Sequence, residues 1–389
     1  MSTPDESLRN VIDEALSPRF SDAATYLVSS RPDVLPVARA ELLYLWDDYR
    51  TEYLDFASLL NPVGHSHPMV KAAVVEHGRY YGLTAPQGHH LLRWPVQYAK
   101  NLSERFDAQA QAPRQVLFCE GEREAVLVAA KMTRRWASNK PMPLAVVKSG
   151  WHDWLPIDTF DYPFSGFLPE GVLWDRVSGL LLSLVDRTGM PLPNAREWML
   201  AAREAGVPVI VDESVTGFGR LGHLWGQDRT GLLADITVLG GACGGGYPLG
   251  AVIATPDWFV TRDVSPQAGN PVACSAGAHT LDVVEMGVCE YMQESAPILT
   301  KGLAELCTQF PQYLRSHHGD GLLQGLVFDT STYADRFAID VRAHGLYVAP
   351  PVGNTVVLAP TLITSTNEMT RGVDLMAATL MGWDDDNGT

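Results

Sequence analysis

Four segments carry residue types that can do chemistry. VPVIVDESVTGFGR (207–220) ends an apolar run in two carboxylates, Asp212 and Glu213, followed by a glycine-bearing turn. Carboxylates at that place can exchange protons or hold a charge; they can equally cap a strand and solvate its loop. FCEGEREAVLVAAK (118–131) leads into a helical pattern through Gly121, Glu122 and Arg123. Helix N-termini favour anions, yet Glu120, Glu122 and Glu124 satisfy the dipole themselves and compete with a bound phosphate. Arg123 can offset one of them. SGWHDW (149–154) offers Trp151 for stacking on a flat ring or for core packing, with His152 beside it. VLGGACGGGYPLGAVIA (238–254) is glycine-rich, which permits close backbone approach or a tight turn. Cys243 within it is a nucleophile or a small buried hydrophobe. His65-Ser66-His67 and His89-His90 lack helical metal-ligand spacing, and there is no HExxH, so no metal site is expected.

The elements that must position these groups read as α/β. QVLFC (115–119), LAVVKS (144–149), GLLLSLV (179–185) and VPVIVDE (207–213) are short apolar runs of the kind buried on both faces of a sheet. The helical patterns at 124–137 and 194–206 alternate with them, which predicts a mostly parallel sheet with ligands beyond its carboxyl ends. Residues 1–30 read as one or two helices and a loop. Residues 39–56 read as a hairpin turning at DDYRT, NPVGHSHP as a turn, and MVKAAVVEHGRYY as a helix after Pro68. One long helical stretch, TLDVVEMGVCEYMQESAPILTKGLAELCTQF (280–310), is followed by strand-like GLLQGLVFDT, LYVAP and NTVVLAP, and the tail GWDDDNGT is expected to fray.

With 389 residues and 46% apolar content, the chain can bury a large core. Its 45 acidic and 29 basic residues give a formal charge of -16, which argues against nucleic-acid and anionic membrane partners. No apolar run reaches the about 20 residues of a membrane helix, and the acidic start MSTPDESLRNVIDEAL does not read as a signal peptide. The five scattered cysteines form no CxxC pair, which predicts reduced thiols and a cytoplasmic protein. Lysines are scarce: Lys71, Lys100, Lys131, Lys140, Lys148 and Lys301.

In order along the chain, YLDF, GHSHP, GWHDW, VDESVTGFGR, GACGGGYPLGAVIA, GNPVACSAGAHTLDVVE, DGLLQGLVF and APTLIT resemble the class III aminotransferases, a branch of the fold-type-I pyridoxal-phosphate (PLP) enzymes, from about Leu42 to Met369. The resemblance implies a three-layer α/β large domain (58–282) and a smaller α+β domain from both chain ends, residues 1–57 and 283–389. It also implies a homodimer with active-site clefts at the interface. Asp212 matches the aspartate that pairs with the PLP pyridine nitrogen, Trp151 the aromatic residue over the ring, and Gly269-Asn270-Pro271 a motif near the dimer interface. The Schiff-base lysine, however, aligns with Gly241. The phosphate grip aligns with Gly121, Glu122 and Arg123, a phosphate-binding threonine of the partner subunit with Pro266, and a carboxylate-gripping arginine with Val357.

A glycine can neither hold PLP covalently nor shuttle the proton, and a positioned general base alone is worth about 10²–10⁴-fold in rate. Three readings follow. In the first, a repurposed biosynthetic enzyme does acid/base chemistry on a small molecule in the former PLP cleft, with Asp212, Glu213, His152 and Glu122 as acids and bases. In the second, PLP or pyridoxamine phosphate (PMP) is held non-covalently by Asp212, Trp151, Gly121, Glu122, Arg123 and Gly241, and Lys148 either stands in for the missing base or is a surface residue at its strand end. In the third, the chain is a non-catalytic homologue acting as a binding or partner subunit.

Overall fold

The computed structural model describes residues 35–79, 91–107, 113–137, 142–164, 169–259 and 264–387. The expected N-terminal helices and the His89-His90 pair lie outside them. In chain order the strands are β1 (Val37–Glu41), β2 (Tyr44–Asp47), β3 (Glu52–Asp55), β4 (Gln115–Cys119), β5 (Leu144–Lys148), β6 (Thr159–Pro163), β7 (Leu180–Ser183), β8 (Val209–Asp212), β9 (Ile236–Leu239), β10 (Gly250–Ala254), β11 (Leu314–Asp320), β12 (Leu323–Phe328), β13 (Leu346–Tyr347) and β14 (Thr355–Leu358). The α-helices are α1 (Pro68–Gly78), α2 (Arg93–Asp107), α3 (Glu122–Trp136), α4 (Ala195–Glu204), α5 (Pro271–Val283), α6 (Cys289–Gln309), α7 (Ser331–Asp340) and α8 (Thr366–Asn387).

The central sheet runs β4-β10-β9-β8-β7-β5-β6. The pairs β5–β6, β5–β7, β7–β8 and β8–β9 are parallel, and β10 is antiparallel to both of its neighbours. Side chains alternate across such strands. One set, including Val146, Leu181, Ile210 and Val238, packs on α3 through Ala125, Val126, Ala129 and Met132. The other set, including Val147, Leu182, Val209 and Val211, packs on Trp198, Met199 and Ala202 of α4. These two apolar faces explain why the strands read as unbroken hydrophobic runs, and burial of each large aliphatic side chain contributes roughly 1.5–3 kcal/mol.

The carboxyl ends of β4, β5, β8 and β9 lie along one edge of this sheet, and each delivers a candidate residue: Glu122, Trp151 with His152, Asp212, and the Gly240–Gly241 step.

Two smaller sheets flank it, β1-β2-β3-β13 and β11-β12-β14. The first joins both parts of the chain, since Leu346 and Tyr347 pair in parallel with Leu54 and Asp55.

Three expectations need correction. The long C-terminal helix is two helices, α5 and α6, separated at 284–288 by a π-turn in which Gly287 has φ +107°; such a backbone suits glycine and breaks the helical ladder. The tail does not fray from Gly382, because α8 runs on to Asn387. The polar strand β11, LRSHHGD, escaped a reading based on apolar runs.

Candidate active site

Asp212 ends β8 and is 4% exposed. Its Oδ1 accepts from the Ser214 backbone N–H at 2.9 Å, and its Oδ2 accepts from His152 Nε2, also at 2.9 Å. The strand end and the turn after β5 thus build one buried pair. The other nitrogen of His152, Nδ1, is buried and unpartnered, as are Trp151 Nε1 and Ser214 Oγ. Buried polar atoms normally find partners, so His152 Nδ1 and Ser214 Oγ leave bonding capacity unused on the two residues bound to Asp212.

Glu122 opens α3 and is half-buried. Burial pushes its carboxyl above the ordinary range, the Asp212 charge pushes the same way, and His152 and Arg123 hold it back. Its Cβ lies 2.7 Å from the point a Cβ on Gly240 would occupy, and Ser214 Oγ lies 2.6 Å from that same point. Glu122 and Ser214 therefore close around the Gly240 backbone from two sides.

Gly241 has φ +49°, in the left-handed region. A Cβ there would sit 2.7 Å from Leu60 Cδ2 and 2.9 Å from the Ser214 carbonyl oxygen. Any side chain at 241 would strain the backbone and collide with it.

The remaining sequence candidates separate. Glu213 is 1% exposed and both oxygens are spent within its own loop: Oε1 accepts from Gln227 N–H at 2.7 Å, and Oε2 from Gly226 N–H at 2.9 Å and from the Thr216 hydroxyl. Burial raises its carboxyl to about 7 against the pull of those donors. Arg123 is exposed, with its guanidinium 5.0 Å from the Trp154 ring centre. Gly121 caps α3 in an extended conformation, with open space where a side chain would go. Lys148 is ion-paired with Asp161 at 3.1 Å. Cys243 is fully buried, and burial pushes its thiol up to about 12, the opposite of an activated nucleophile. Trp151 and Val357 pack on one apolar cluster with Leu59, Val215, Leu221 and Leu323. Asn270 caps α5, its Oδ1 accepting from Val272 and Ala273 N–H, with Pro271 in the first turn. Among the described residues no group of three or more His, Cys, Asp or Glu is placed to hold a metal ion, and no helix is long and apolar enough to cross a membrane.

Two residues gave no chemical signal in the sequence. Arg220 is 1% exposed and donates to four backbone carbonyls: Ser58 at 2.7 Å, Leu59 at 3.1 Å, Leu322 at 3.2 Å, and Pro360. It ties the segment after β3 to the segments around β12 and β14. Asp55 gathers Ser58 Oγ at 2.6 Å and His65 Nε2 at 2.7 Å on one oxygen. The motifs GFGR and YLDF contained these residues, but only the fold shows what they touch.

The sheet order and the strand-end site define a fold-type-I PLP-dependent aminotransferase fold. Acetylornithine aminotransferase from Elizabethkingia anophelis superposes with a TM-score of 0.84 at 22% identity, over 93% of this chain and 98% of that one. Ornithine aminotransferase from Toxoplasma gondii, described with partial occupancy of PLP at its active site, superposes at 0.83 and 18% identity over the whole of both chains. By sequence, residues 192–380 match the family model for aminotransferase class III. That match is a likeness to the class III aminotransferases over this part of the chain. A curated relative, acetylornithine aminotransferase of Agrobacterium fabrum (strain C58 / ATCC 33970), is 28% identical over 384 residues, 88% of this chain and 93% of its own.

The residues present do not fit covalently held PLP, the cofactor of that fold. Asp212 and Trp151, which the resemblance matches to residues around the PLP ring, are present, with His152 bonded to Asp212. The position that the resemblance aligns with the Schiff-base lysine is Gly241, where a side chain would meet Leu60 and the Ser214 carbonyl. At the phosphate end, Glu122 contributes a carboxyl, and Glu124 accepts the N–H groups of Glu120, at 2.6 Å, and Ser265. Glu124 thus ties the segment before α3 to the 265–269 loop bearing Pro266, and the first turn of α3 carries two acidic residues.

Proposed function

We propose that this chain is a class III aminotransferase-like enzyme repurposed for acid/base chemistry on a small molecule in the cleft between Glu122, Trp151, His152 and Asp212, without Schiff-base transamination at position 241. The observation that carries the proposal is the Gly241 backbone, with φ +49° and Leu60 and the Ser214 carbonyl within 3 Å of where a side chain would start. Glu122 is the proton donor, because its raised carboxyl holds a proton at higher pH than a free glutamate. His152 is the acceptor, oriented through Nε2 by Asp212, which also stabilises the charged ring. Trp151 supplies the stacking face, Arg123 a rim charge, and Glu213 holds the loop beneath. The proposal includes a homodimeric, cytoplasmic protein with a domain division near residues 57 and 282.

Titration of the protein with PLP tests it. The expected result is no new absorbance band at about 330–420 nm at saturating cofactor, and no amine transfer to a keto acid. A stoichiometric band with amine transfer sinks the proposal. A band without transfer supports the second reading, non-covalent PLP or PMP, which the retained Asp212–His152 pair favours.

A further inference from the structure

The turn that carries Trp151 and His152 is held from outside itself. The Ser149 carbonyl accepts the backbone N–H of Arg187, just beyond β7, at 3.0 Å. Gly150 follows with φ +83°, and a Cβ there would meet Arg187 Cδ at 2.9 Å and Cγ at 3.1 Å. The arginine stem runs along the Gly150 backbone at a distance that only glycine permits. The guanidinium then reaches to 6.0 Å from the Trp151 ring centre, the outer range of a cation–π contact. Arg187 thus meets three successive residues: Ser149 through its N–H, Gly150 through its stem and Trp151 through its charge.

Arg187 itself stands on a fixed support. Asp186 Oδ1 accepts from the Thr188 N–H at 2.8 Å, the Thr188 hydroxyl at 2.6 Å and the Met190 N–H at 3.0 Å, and the Asp186 N–H donates to the Met190 carbonyl at 2.9 Å. This tight turn is docked on the C-terminal sheet. His318 Nε2, from β11, lies 3.0 Å from the Thr188 carbonyl oxygen, and Leu323 Cγ, from β12, lies 3.4 Å from where a Cβ on Gly189 would be. Leu323 also belongs to the apolar cluster on which Trp151 packs.

Resting on the function proposed above, we infer that Arg187 is a positioning residue. It fixes the Trp151 ring, and with it the turn that brings His152 to Asp212, from a support anchored on β11 and β12. The stacking face of the site is set by the 186–190 turn and the C-terminal sheet as much as by β5, the strand it follows.

Fluorine NMR of the full-length protein labelled with 5-fluorotryptophan tests this. Trp151→Phe identifies the Trp151 line among those of the ten tryptophans. Arg187→Ala removes stem and charge and keeps the N–H bond to Ser149. It is expected to move the Trp151 line by more than its width, or to split it, and to leave the other tryptophan lines in place. Arg187→Lys keeps a stem and a cation and should return a single line towards the wild-type position. A Trp151 line unchanged in Arg187→Ala overturns the inference. So does displacement of all the lines together, which marks a general structural role, or an Arg187→Lys spectrum indistinguishable from that of Arg187→Ala. The measurement needs neither substrate nor cofactor, so its outcome is separate from that of the PLP titration, which decides the parent proposal.

Discussion

Among the described residues two aspartate–histidine pairs have nearly the same length, one fully buried and one half-buried at its histidine, and they are built for different purposes. Asp55 accepts from the Ala57 N–H at 2.7 Å, the Ser58 hydroxyl at 2.6 Å and His65 Nε2 at 2.7 Å. Ser58 in turn offers its carbonyl to Arg220. Serine and histidine meet the same aspartate oxygen, so the trio cannot relay a proton as a serine–histidine–aspartate chain would. It is a joint between segments far apart in sequence. Asp212 and His152 share the distance but leave His152 Nδ1, Trp151 Nε1 and Ser214 Oγ unpartnered, and they face a second carboxyl on Glu122. A pair whose surroundings are saturated stabilises the fold. A pair ringed by orphans and like charge is held in place by the rest of the fold, which is the usual condition of a working site.

The comparison breaks most visibly at the joint. Arg220→Met strands four carbonyls and is expected to cost roughly 3–5 kcal/mol in denaturant unfolding, since removing one partner of a buried charged cluster exposes the rest. Burial lowers the Arg220 guanidinium to about 10, still far above neutral pH, so the charge is present throughout such an experiment. Asp55→Asn should cost about 1–3 kcal/mol, because two donors converge on one oxygen and an amide cannot accept from both where its nitrogen lies. Asp212→Asn should cost under about 1 kcal/mol by the same measure. The Asn oxygen keeps the Ser214 N–H, the His152 ring changes tautomer through its free Nδ1, and the repulsion of Glu122 is relieved. Equal losses at Asp55 and Asp212 would remove the distinction between joint and site.

The inner strands of the large sheet were legible because both their faces are buried, so each appears as an unbroken apolar run such as VPVIV, whereas the half-exposed edge strand β6, TFDYP, was not. The carboxyl-end placement of Asp212 and Trp151 followed from sheet topology. The break between α5 and α6 was not legible, because the apolar pattern continues across it and a single glycine at 287 does the work. Strand β11 is polar because it is a sheet edge. Within the site, the pairing of His152 with Asp212 spans 60 positions and no local pattern announces it. Glu213 shows the opposite difficulty: its neighbour Asp212 made it look chemical, whereas adjacent residues at a strand end diverge, and Glu213 turns into the 213–227 loop. The exclusion of a side chain at Gly241 depends on Leu60 and Ser214, which only tertiary packing brings there.

Gly241→Lys sharpens the site half of the comparison. Restoring the residue type that the family carries is expected to destabilise by roughly 1–3 kcal/mol from the left-handed backbone, with further loss from the contacts at Leu60 and the Ser214 carbonyl, and without a PLP absorbance band. A variant that melts like wild type and turns yellow with PLP would show that the backbone accommodates the lysine, and would remove the observation on which the proposed function stands.

The smallest effect is on the pH dependence of stability, and its sign is fixed by two glutamates, Glu122 and Glu213. Glu122 and Glu213 are both raised above the ordinary glutamate value of 4.5, Glu213 to about 7. A group raised in the folded state binds its proton more tightly there than in the unfolded chain. Its stabilising contribution is therefore complete below 4.5 and lost as pH rises through the folded value. These two residues make the protein less stable at pH 7 than at pH 5, whereas a paired, depressed carboxylate works in the other direction. Glu122→Gln removes one contribution and should flatten the decline in melting temperature between pH 5 and 7, leaving the part due to Glu213. An unchanged slope would mean that neither burial nor the Asp212 charge raises the Glu122 carboxyl, which would then not be the proton donor proposed for the cleft.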